Sequence, residues 1–201
     1  MSDNYITICT EKEVDNPIEL GEKVLKFLQD LKYVEHQQSK CTLGPDLLGY
    51  APADRHIDAI GFDENISRLN TNGLEIKAER QVFDAMSFTM LNEMICPNCK
   101  RNRFEGITPE KFYNEQFTPE EMKSYSSVFA QFEKWNNREE TNLTCNHCQT
   151  ISTLEEFEIK GNICLSNLGF TFWNWPNLKQ EVIDEISKLT SSNLKVIQGH
   201  L

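Results

Sequence analysis

Four cysteines in two C-x-x-C pairs are the residues whose types and spacing most directly suggest chemistry. The segment CPNC occupies positions 96–99 and the segment CNHC occupies positions 145–148. Each segment can present two thiolates from a tight turn, and four thiolates form the tetrahedral ligand set that zinc prefers. We therefore expect one structural zinc ion, whose ligands are Cys96, Cys99, Cys145 and Cys148.

Four protein ligands fill the tetrahedral shell and leave no position for water or substrate, which indicates a structural rather than a catalytic ion. Three alternatives stay open at this point. An iron–sulfur cluster accepts the same four sulfurs. His147 can replace one cysteine as a ligand. The third is a thioredoxin-type redox pair, but such a pair needs its C-x-x-C at the start of a helix after a strand, and here Cys99 is followed by the polar segment KRNR.

The two pairs are separated by 45 residues, more than the roughly 15 to 20 of a compact zinc ribbon. Helices explain this distance, because Thr108 and Thr118 each precede a proline and an acidic residue, the pattern of a capped helix start. The second helix has an apolar face made of Met122, Tyr125, Val128, Phe129, Phe132 and Trp135. We predict zinc-binding turns at 95–100 and 144–149, joined by a helical excursion over 107–137.

The rest of the chain alternates between strand and helix patterns. Strands are predicted over 5–10, at two places within 73–91 joined near 84–87, over 154–159, over 163–175 and over 194–197. Helices are predicted after an N-cap at Asn16 and over 178–189, whereas 39–72 has mostly loop signals. We predict one α+β domain over 1–201, with a mixed sheet, packed helices, an embedded four-cysteine site and a C-terminal β-α-β unit.

The chain is acidic and has the composition of a globular protein. It has 20 Lys and Arg against 31 Asp and Glu, for a formal net charge of -11. This charge repels polyanions, so a basic protein is the expected partner and nucleic acid is not. The N-terminal segment lacks a signal-peptide pattern, and no segment has the length and composition of a membrane span, so we expect a cytoplasmic protein without membrane contact.

Seven cysteines also favour a reducing compartment with metal ligation over a disulfide framework. The three outside the pairs, Cys9, Cys41 and Cys164, lie among apolar neighbours and are expected to be buried. Trp173 and Trp175 are expected to anchor the core, and the alternative is a recognition surface.

Common catalytic signatures are absent from the sequence, including phosphate-binding loops, the nucleophile elbow and the H-E-x-x-H helix. An enzyme would need a site assembled from the 41–58 loop, where Asp54, Arg55, His56 and Asp58 offer acid and base groups. A nucleic-acid-associated zinc ribbon would use the basic segment 100–103. Lys100, Arg101 and Arg103 instead suit the role of offsetting the negative charge of a zinc tetrathiolate.

The sequence resembles a group of uncharacterised bacterial zinc-ribbon proteins. The similarity lies in GLEIKAERQVF at 73–83, CPNC at 96–99 and LGFTFWNWPNL at 168–178, and it covers about the last two-thirds of the chain. The resemblance implies an α+β protein with a zinc ribbon and implies no reaction. The label of sugar-transport ATPase sometimes given to such proteins has no support here, because the chain has no phosphate-binding loop.

These observations favour a non-catalytic, zinc-stabilised protein that binds other proteins. An immunity or inhibitor protein against a basic toxin is a concrete form of this hypothesis, since an acidic surface suits a cationic partner. The enzyme with a site at 41–58 and the nucleic-acid-associated zinc ribbon are the alternatives.

Overall fold

The structure is a computed structural model that describes residues 3–44, 46–61, 66, 69–85, 93–106, 108, 111, 114 and 116–201. The chain divides into two compact units. Unit 1 comprises Met1–Glu79 and Ser166–Leu201, and unit 2 comprises Arg80–Leu165. The prediction of a single domain over 1–201 stays a prediction, and it is tested by whether the two units unfold together.

The described residues form twelve strands and four α-helices. The strands are β1 (Asn4–Thr10), β2 (Val34–Lys40), β3 (Leu48–Pro52), β4 (Leu74–Lys77), β5 (Gln81–Asp84), β6 (Glu93–Ile95), β7 (Leu143–Thr144), β8 (Ile151–Ser152), β9 (Glu158–Lys160), β10 (Ile163–Ser166), β11 (Gly169–Trp173) and β12 (Leu194–His200). The helices are α1 (Pro17–Asp30), α2 (His56–Ala59), α3 (Pro119–Asn136) and α4 (Gln180–Thr190). None of these helices has both the length and the apolar composition needed to cross a membrane.

Unit 1 is built on a six-stranded sheet with the order β12-β1-β11-β4-β3-β2, and each of its described strand pairs is antiparallel. The N-terminal strand β1 occupies a central position, where it pairs with β11 on one side and β12 on the other. Residues 5–10 of β1 and all of β11 are buried, as expected for central strands with both faces covered.

The core of unit 1 lies between this sheet and helices α1 and α4. Alternate strand residues point to the helices, so that Ile6 pairs with Phe172 and Ile8 pairs with Phe170 in adjacent strands. Helix α1 contributes Val24 and Leu28 to the same core, and α4 contributes Val182 and Ile186. The apolar residues of both helices recur every three or four positions, which is why each helix buries one face.

Helix α1 begins at Pro17 as predicted, but Asn16 acts differently from the expected side-chain cap. Its backbone is left-handed, with φ of 55°, and its side chain makes no capping hydrogen bond. Asparagine is among the few residues that tolerate this conformation, so the backbone explains its presence.

Unit 2 combines three two-stranded sheets with helix α3. The strand pairs are β5 with β10, β6 with β9 and β7 with β8. Its core contains Phe104, Val128, Trp135, Leu143 and Leu154, each at most 2 % exposed. Two-stranded sheets are marginal alone, so this unit depends on the helix and on any cross-link between its segments.

Helix α3 matches the predicted helix start at Thr118. The Thr118 hydroxyl accepts from the Glu121 amide and the Glu121 carboxylate accepts from the Thr118 amide, which completes a capping box. Met122 was predicted on the apolar face but is 50 % exposed, whereas Val128 and Trp135 are buried. Met122 lies in the first turn of the helix, where the side chains are mostly exposed. The expected first helix start at 108–110 lies largely outside the described residues.

The predicted α+β class, its four-cysteine cluster and the C-terminal β-α-β order are confirmed. Strands β11 and β12 lie in one sheet with α4 between them in sequence, and they run in the same direction because both are antiparallel to β1. They do not pair directly, since β1 lies between them. The pattern of β11, α4 and β12 does not indicate this place for β1, because β1 lies more than 150 positions away in the sequence.

Two strands were not predicted: β3, which lies inside the 39–72 segment interpreted as loop, and β2, which begins at Val34 before that segment. Strand β2 has six consecutive exposed residues, so it lacks the alternation of apolar and polar residues that predicts a strand. Strand β3 follows a turn whose Leu47 has a positive φ of 57°. The first of the two strands predicted within 73–91 is found as two shorter strands, β4 and β5, separated at 78–80, and the second predicted strand, with Phe88 and Met90, lies outside the described residues.

Candidate metal centre

The first cysteine pair lies in a turn that follows strand β6. The Cys96 amide donates to the Arg101 carbonyl at 3.0 Å, and the Lys100 amide donates back to the Cys96 carbonyl at 3.1 Å. Lys100 is left-handed, with φ of 59°, which reverses the chain just after the second cysteine. The turn therefore holds Cys96 and Cys99 on one side of a closed loop, as the sequence predicted for 95–100.

The second pair lies in a turn of the same construction. The Cys145 amide donates to the Thr150 carbonyl at 2.9 Å, and the Gln149 amide donates to the Cys145 carbonyl at 3.1 Å. Gln149 is left-handed, with φ of 61°, at the position that corresponds to Lys100. Strands β7 and β8 close this turn as a short hairpin. Neither turn begins a helix, unlike the redox pairs of thioredoxin-type proteins.

The two turns bring all four sulfur atoms together, and the four Sγ atoms lie within 4.8 Å of one another. Cys96 Sγ and Cys148 Sγ are 3.8 Å apart, and so are Cys99 Sγ and Cys145 Sγ. A tetrahedral ion with zinc–sulfur bonds of about 2.3 Å separates its sulfurs by about 3.8 Å. The cluster can therefore hold a metal ion with little rearrangement.

Burial differs between the two members of each pair. Cys96 and Cys145 are at most 1 % exposed, whereas Cys99 and Cys148 are half-buried. All seven cysteines belong to the described residues and none of them forms a disulfide, and Cys9, Cys41 and Cys164 are buried as expected.

Electrostatics within the cluster favour a bound cation. The Thr150 hydroxyl and amide and the Asn98 side-chain amide hydrogen-bond to the Cys148 sulfur and lower its pKa to about 5. The Arg101 amide stabilises the Cys99 thiolate, but desolvation and the other three sulfurs outweigh it and raise the Cys99 pKa to about 11. One thiolate forms readily and the last is opposed by its neighbours. A divalent cation removes this opposition, because it offsets the accumulated negative charge.

Polar groups around the sulfurs were not predicted from the sequence. Asn98 Nδ2 lies 3.6 Å from Cys148 Sγ and 3.0 Å from Thr150 Oγ1, and the Thr150 hydroxyl lies 3.4 Å from the same sulfur. The His147 amide donates to Cys145 Sγ at 3.4 Å. Such contacts orient the ligands of a metal site. The sequence feature that could have indicated these contacts is the position of Asn98 inside the first cysteine pair and of Thr150 two residues after the second.

The His147 ring takes no part in the sulfur cluster. Its Nε2 atom lies 2.8 Å from the Asn102 carbonyl oxygen and 3.6 Å from a Glu105 carboxylate oxygen. The ring thus joins the second turn to the residues after the first. The alternative in which His147 replaces a cysteine has no support in this arrangement.

Arg103 joins the second turn to helix α3 from a buried position, with 5 % of its surface exposed. Its guanidinium donates to the Thr144 carbonyl, to Asn146 Oδ1 at 2.9 Å and to Ser127 Oγ at 3.0 Å. Burial lowers its pKa, and the nearby Cys145 sulfur opposes this shift. Its charge offsets that of the thiolates, as the sequence suggested.

The neighbouring basic residues do not form a positive stripe. Arg101 pairs with Glu105 at 2.7 Å, Arg103 is buried and Lys100 is exposed. A nucleic-acid-binding surface needs several accessible cations along one face. Two cations of this segment are exposed and one of them is paired with a carboxylate, so the segment does not favour the nucleic-acid alternative.

Of the four residues proposed for an enzyme site at 41–58, His56 is buried, Arg55 and Asp58 pair with each other, and Asp54 is exposed. His56 is 4 % exposed, its Nδ1 lies 2.8 Å from the Ala53 carbonyl oxygen, and its ring contacts Trp175 edge-on. Arg55 and Asp58 form an exposed ion pair at 2.7 Å. A general acid or base must reach its substrate, and the buried imidazole does not.

Both tryptophans expected in the core are buried, Trp173 at 6 % and Trp175 at 4 % exposure. The Trp173 indole donates to Glu75 Oε2 at 3.1 Å, and the Trp175 indole donates to the Asn72 carbonyl at 2.6 Å. Asn174 between them is left-handed, with φ of 55°, and its side chain hydrogen-bonds to Asp3 and Thr71. The segment is therefore a structural corner and not a recognition surface.

The chain was also compared with known proteins. Protein-family models, curated proteins and solved structures gave no match.

Proposed function

We propose that this chain is a non-catalytic binding protein, stabilised by one structural zinc ion, that acts through contacts with a basic protein. The four cysteine sulfurs within 4.8 Å of one another carry the proposal. A site closed by four thiolates offers no coordination position to a substrate, so its ion contributes to folding rather than to catalysis.

Zinc is the proposed ion because of the sulfur spacing and the form of the turns. The two Sγ–Sγ distances of 3.8 Å match the edge of a tetrahedron around one zinc ion. An iron–sulfur cluster places several irons and bridging sulfides between its cysteines and needs a wider arrangement. A reducing compartment, the cytoplasm in our proposal, would keep the thiols available for metal.

The ion would join two distant parts of unit 2. The strands beside the cysteine turns are only two or three residues long, and each sheet of this unit has two strands. Helix α3 and its aromatic residues lie between the two turns in sequence. A zinc ion at the cluster therefore supplies stability that strand pairing in this unit does not.

The acidic character of the chain supports a basic partner. A net charge of -11 attracts cationic proteins over long range and accelerates their encounter. Inhibition of a cationic toxin, as by an immunity protein, is one form that this binding can take. The resemblance to uncharacterised bacterial zinc-ribbon proteins fits the proposal, since it implies a zinc site and no reaction.

Metal analysis tests the first part of the proposal. Protein purified without chelator should contain about one zinc per chain and no visible absorption of an iron–sulfur cluster. Protein without zinc, with a disulfide inside either pair, would instead support redox chemistry.

Titration calorimetry with a purified basic partner tests the second part. Candidate partners come from affinity capture at low ionic strength, followed by mass spectrometry and separate expression. The dissociation constant should rise steeply between about 50 and 500 mM salt, because screening weakens attraction between charged surfaces. Affinity that does not change with salt would contradict the role of charge.

A further inference from the structure

We propose that a groove in unit 1, between helix α1 and strands β3 and β4, binds an extended cationic segment of the partner. This inference rests on the proposed function and names the docking site for the basic protein. It is carried by three features of the groove: an unpaired strand edge, unpaired carboxylates and exposed apolar residues.

The groove forms where two neighbouring strands of the sheet separate. Strand β4 pairs with β11 along all four of its residues, from Leu74 to Lys77. On its other side, the one described pair with β3 joins Leu74 to Tyr50. The cavity of about 380 Å³ is lined by Leu48 and Gly49 on one wall and by residues 75–78 on the other. Its volume lies in the range of pockets that bind small ligands or a few side chains.

This separation leaves an edge of the sheet open to an added strand. Among the described residues, β4 has no strand partner on its β3-facing side from Glu75 to Lys77. Backbone amides and carbonyls at such an edge need hydrogen-bond partners, and an extended peptide supplies them by strand addition. The edge thus favours an extended occupant over a globular one.

The charges on the groove select a cationic occupant. Glu22 on α1 and Asp46 before β3 are exposed, and neither takes part in an ion pair between described residues. Glu75 accepts from Lys77 at 2.7 Å, which neutralises the one basic side chain in the lining. The groove therefore presents two uncompensated negative charges, which complement a Lys or Arg side chain.

Apolar residues at the rim complete the site. Ile18 is 65 % exposed and Leu48 is 44 % exposed, and both line the same cavity. Side chains alternate along an extended peptide, so cationic residues can reach the carboxylates while apolar residues cover Ile18 and Leu48. A segment with alternating basic and aliphatic residues fits all three features.

The test uses full-length, zinc-loaded protein and the capped pentapeptide Leu-Arg-Leu-Arg-Leu. Amide chemical shifts of ¹⁵N-labelled protein should change at 46–49, at 75–78 and in the first two turns of α1. The double variant Glu22→Gln/Asp46→Asn should bind the peptide about tenfold more weakly, from the loss of two partly exposed charge contacts. A matched variant, Glu11→Gln/Glu181→Gln, removes the same net charge from exposed positions outside the groove and should change affinity less than twofold.

Three results would contradict the proposal that the groove binds the peptide. The first is that amide chemical shifts change only on another surface. The second is that both double variants lose the same peptide affinity, and the third is that a peptide with Glu in place of Arg binds equally well. Zinc content measured on the same samples distinguishes failure of the groove proposal from failure of the proposed function. If zinc-loaded protein binds the cationic peptide at another acidic face, the groove proposal is wrong and the proposed function stands. If no cationic peptide binds at low salt, the groove proposal is wrong, whereas the proposed function is decided separately by the calorimetry with the purified basic partner.

Discussion

Replacing Cys99 with serine should release the metal and destabilise unit 2 while unit 1 keeps its stability. Serine removes one soft ligand, and the remaining three sulfurs no longer close a tetrahedral shell. The ion then ceases to hold Cys99 and Cys145 together, which are 46 positions apart in the chain. Cys99 is half-buried, so the substitution creates little cavity of its own.

The size of the effect follows from loop closure. A cross-link around a loop of 46 residues removes about 13 cal/mol/K of entropy from the unfolded chain, or about 4 kcal/mol at 25 °C. This energy corresponds to about a thousandfold in the opening equilibrium of unit 2.

Amide hydrogen exchange is the suitable assay, because it reports stability segment by segment. The slowest amides of α3 and of β6 to β9 should exchange about a thousandfold faster in Cys99→Ser, and chelation of the wild type should have the same effect. Amides of β1 and β11 should keep their rates. Cys164→Ser serves as the control, since Cys164 is buried in unit 2 but lies outside the cluster, and this variant should retain one zinc.

Two results would refute this reasoning. Unchanged exchange in α3 after zinc removal would show that the ion does not stabilise unit 2. Equal acceleration in β1 and α3 would show that the metal stabilises one cooperative structure, as the prediction of a single domain over 1–201 requires.

Three further predictions concern individual residues. Leu28→Ala should lower the free energy of unfolding by about 2–5 kcal/mol, because Leu28 is 1 % exposed in the core of unit 1, and a loss below about 1 kcal/mol in denaturant melts would contradict that packing. Lys100→Gly should raise the free energy of unfolding by about 0.5–1 kcal/mol without changing zinc content, because glycine adopts the observed φ of 59° without strain. A lower free energy of unfolding in this variant would contradict backbone strain at Lys100. Hydrogen bonds from Thr71 and Asn174 lower the pKa of Asp3 in the folded state. The stabilisation of the folded protein by these bonds is therefore complete above the pKa of Asp3 in the unfolded chain, and it is lost as pH falls through the lower pKa of the folded state. NMR titration should show a higher Asp3 pKa in Thr71→Val, and an unchanged pKa would contradict this cause.

The sequence alone predicted features whose signals are local. The two C-x-x-C segments indicated a four-cysteine cluster, because a tight turn between cysteines presents both sulfurs to one ion whatever surrounds it. Helices α1, α3 and α4 were predicted from apolar residues at helical spacing, and strands β1 and β11 from dense apolar composition. The burial of Trp173 and Trp175 followed from the apolar segment that precedes them.

Features that depend on distant partners were decided by the tertiary structure. Strand β2 has six consecutive exposed residues and no apolar alternation, and it is a strand because β3 pairs with it. The place of β1 between β11 and β12 depends on pairing between residues more than 150 positions apart. Histidine is a residue type expected at an enzyme site, and only the fold shows that His56 is buried. Local sequence specifies turns and periodicity, whereas strand order, burial of a polar side chain and an open sheet edge depend on which distant segments meet.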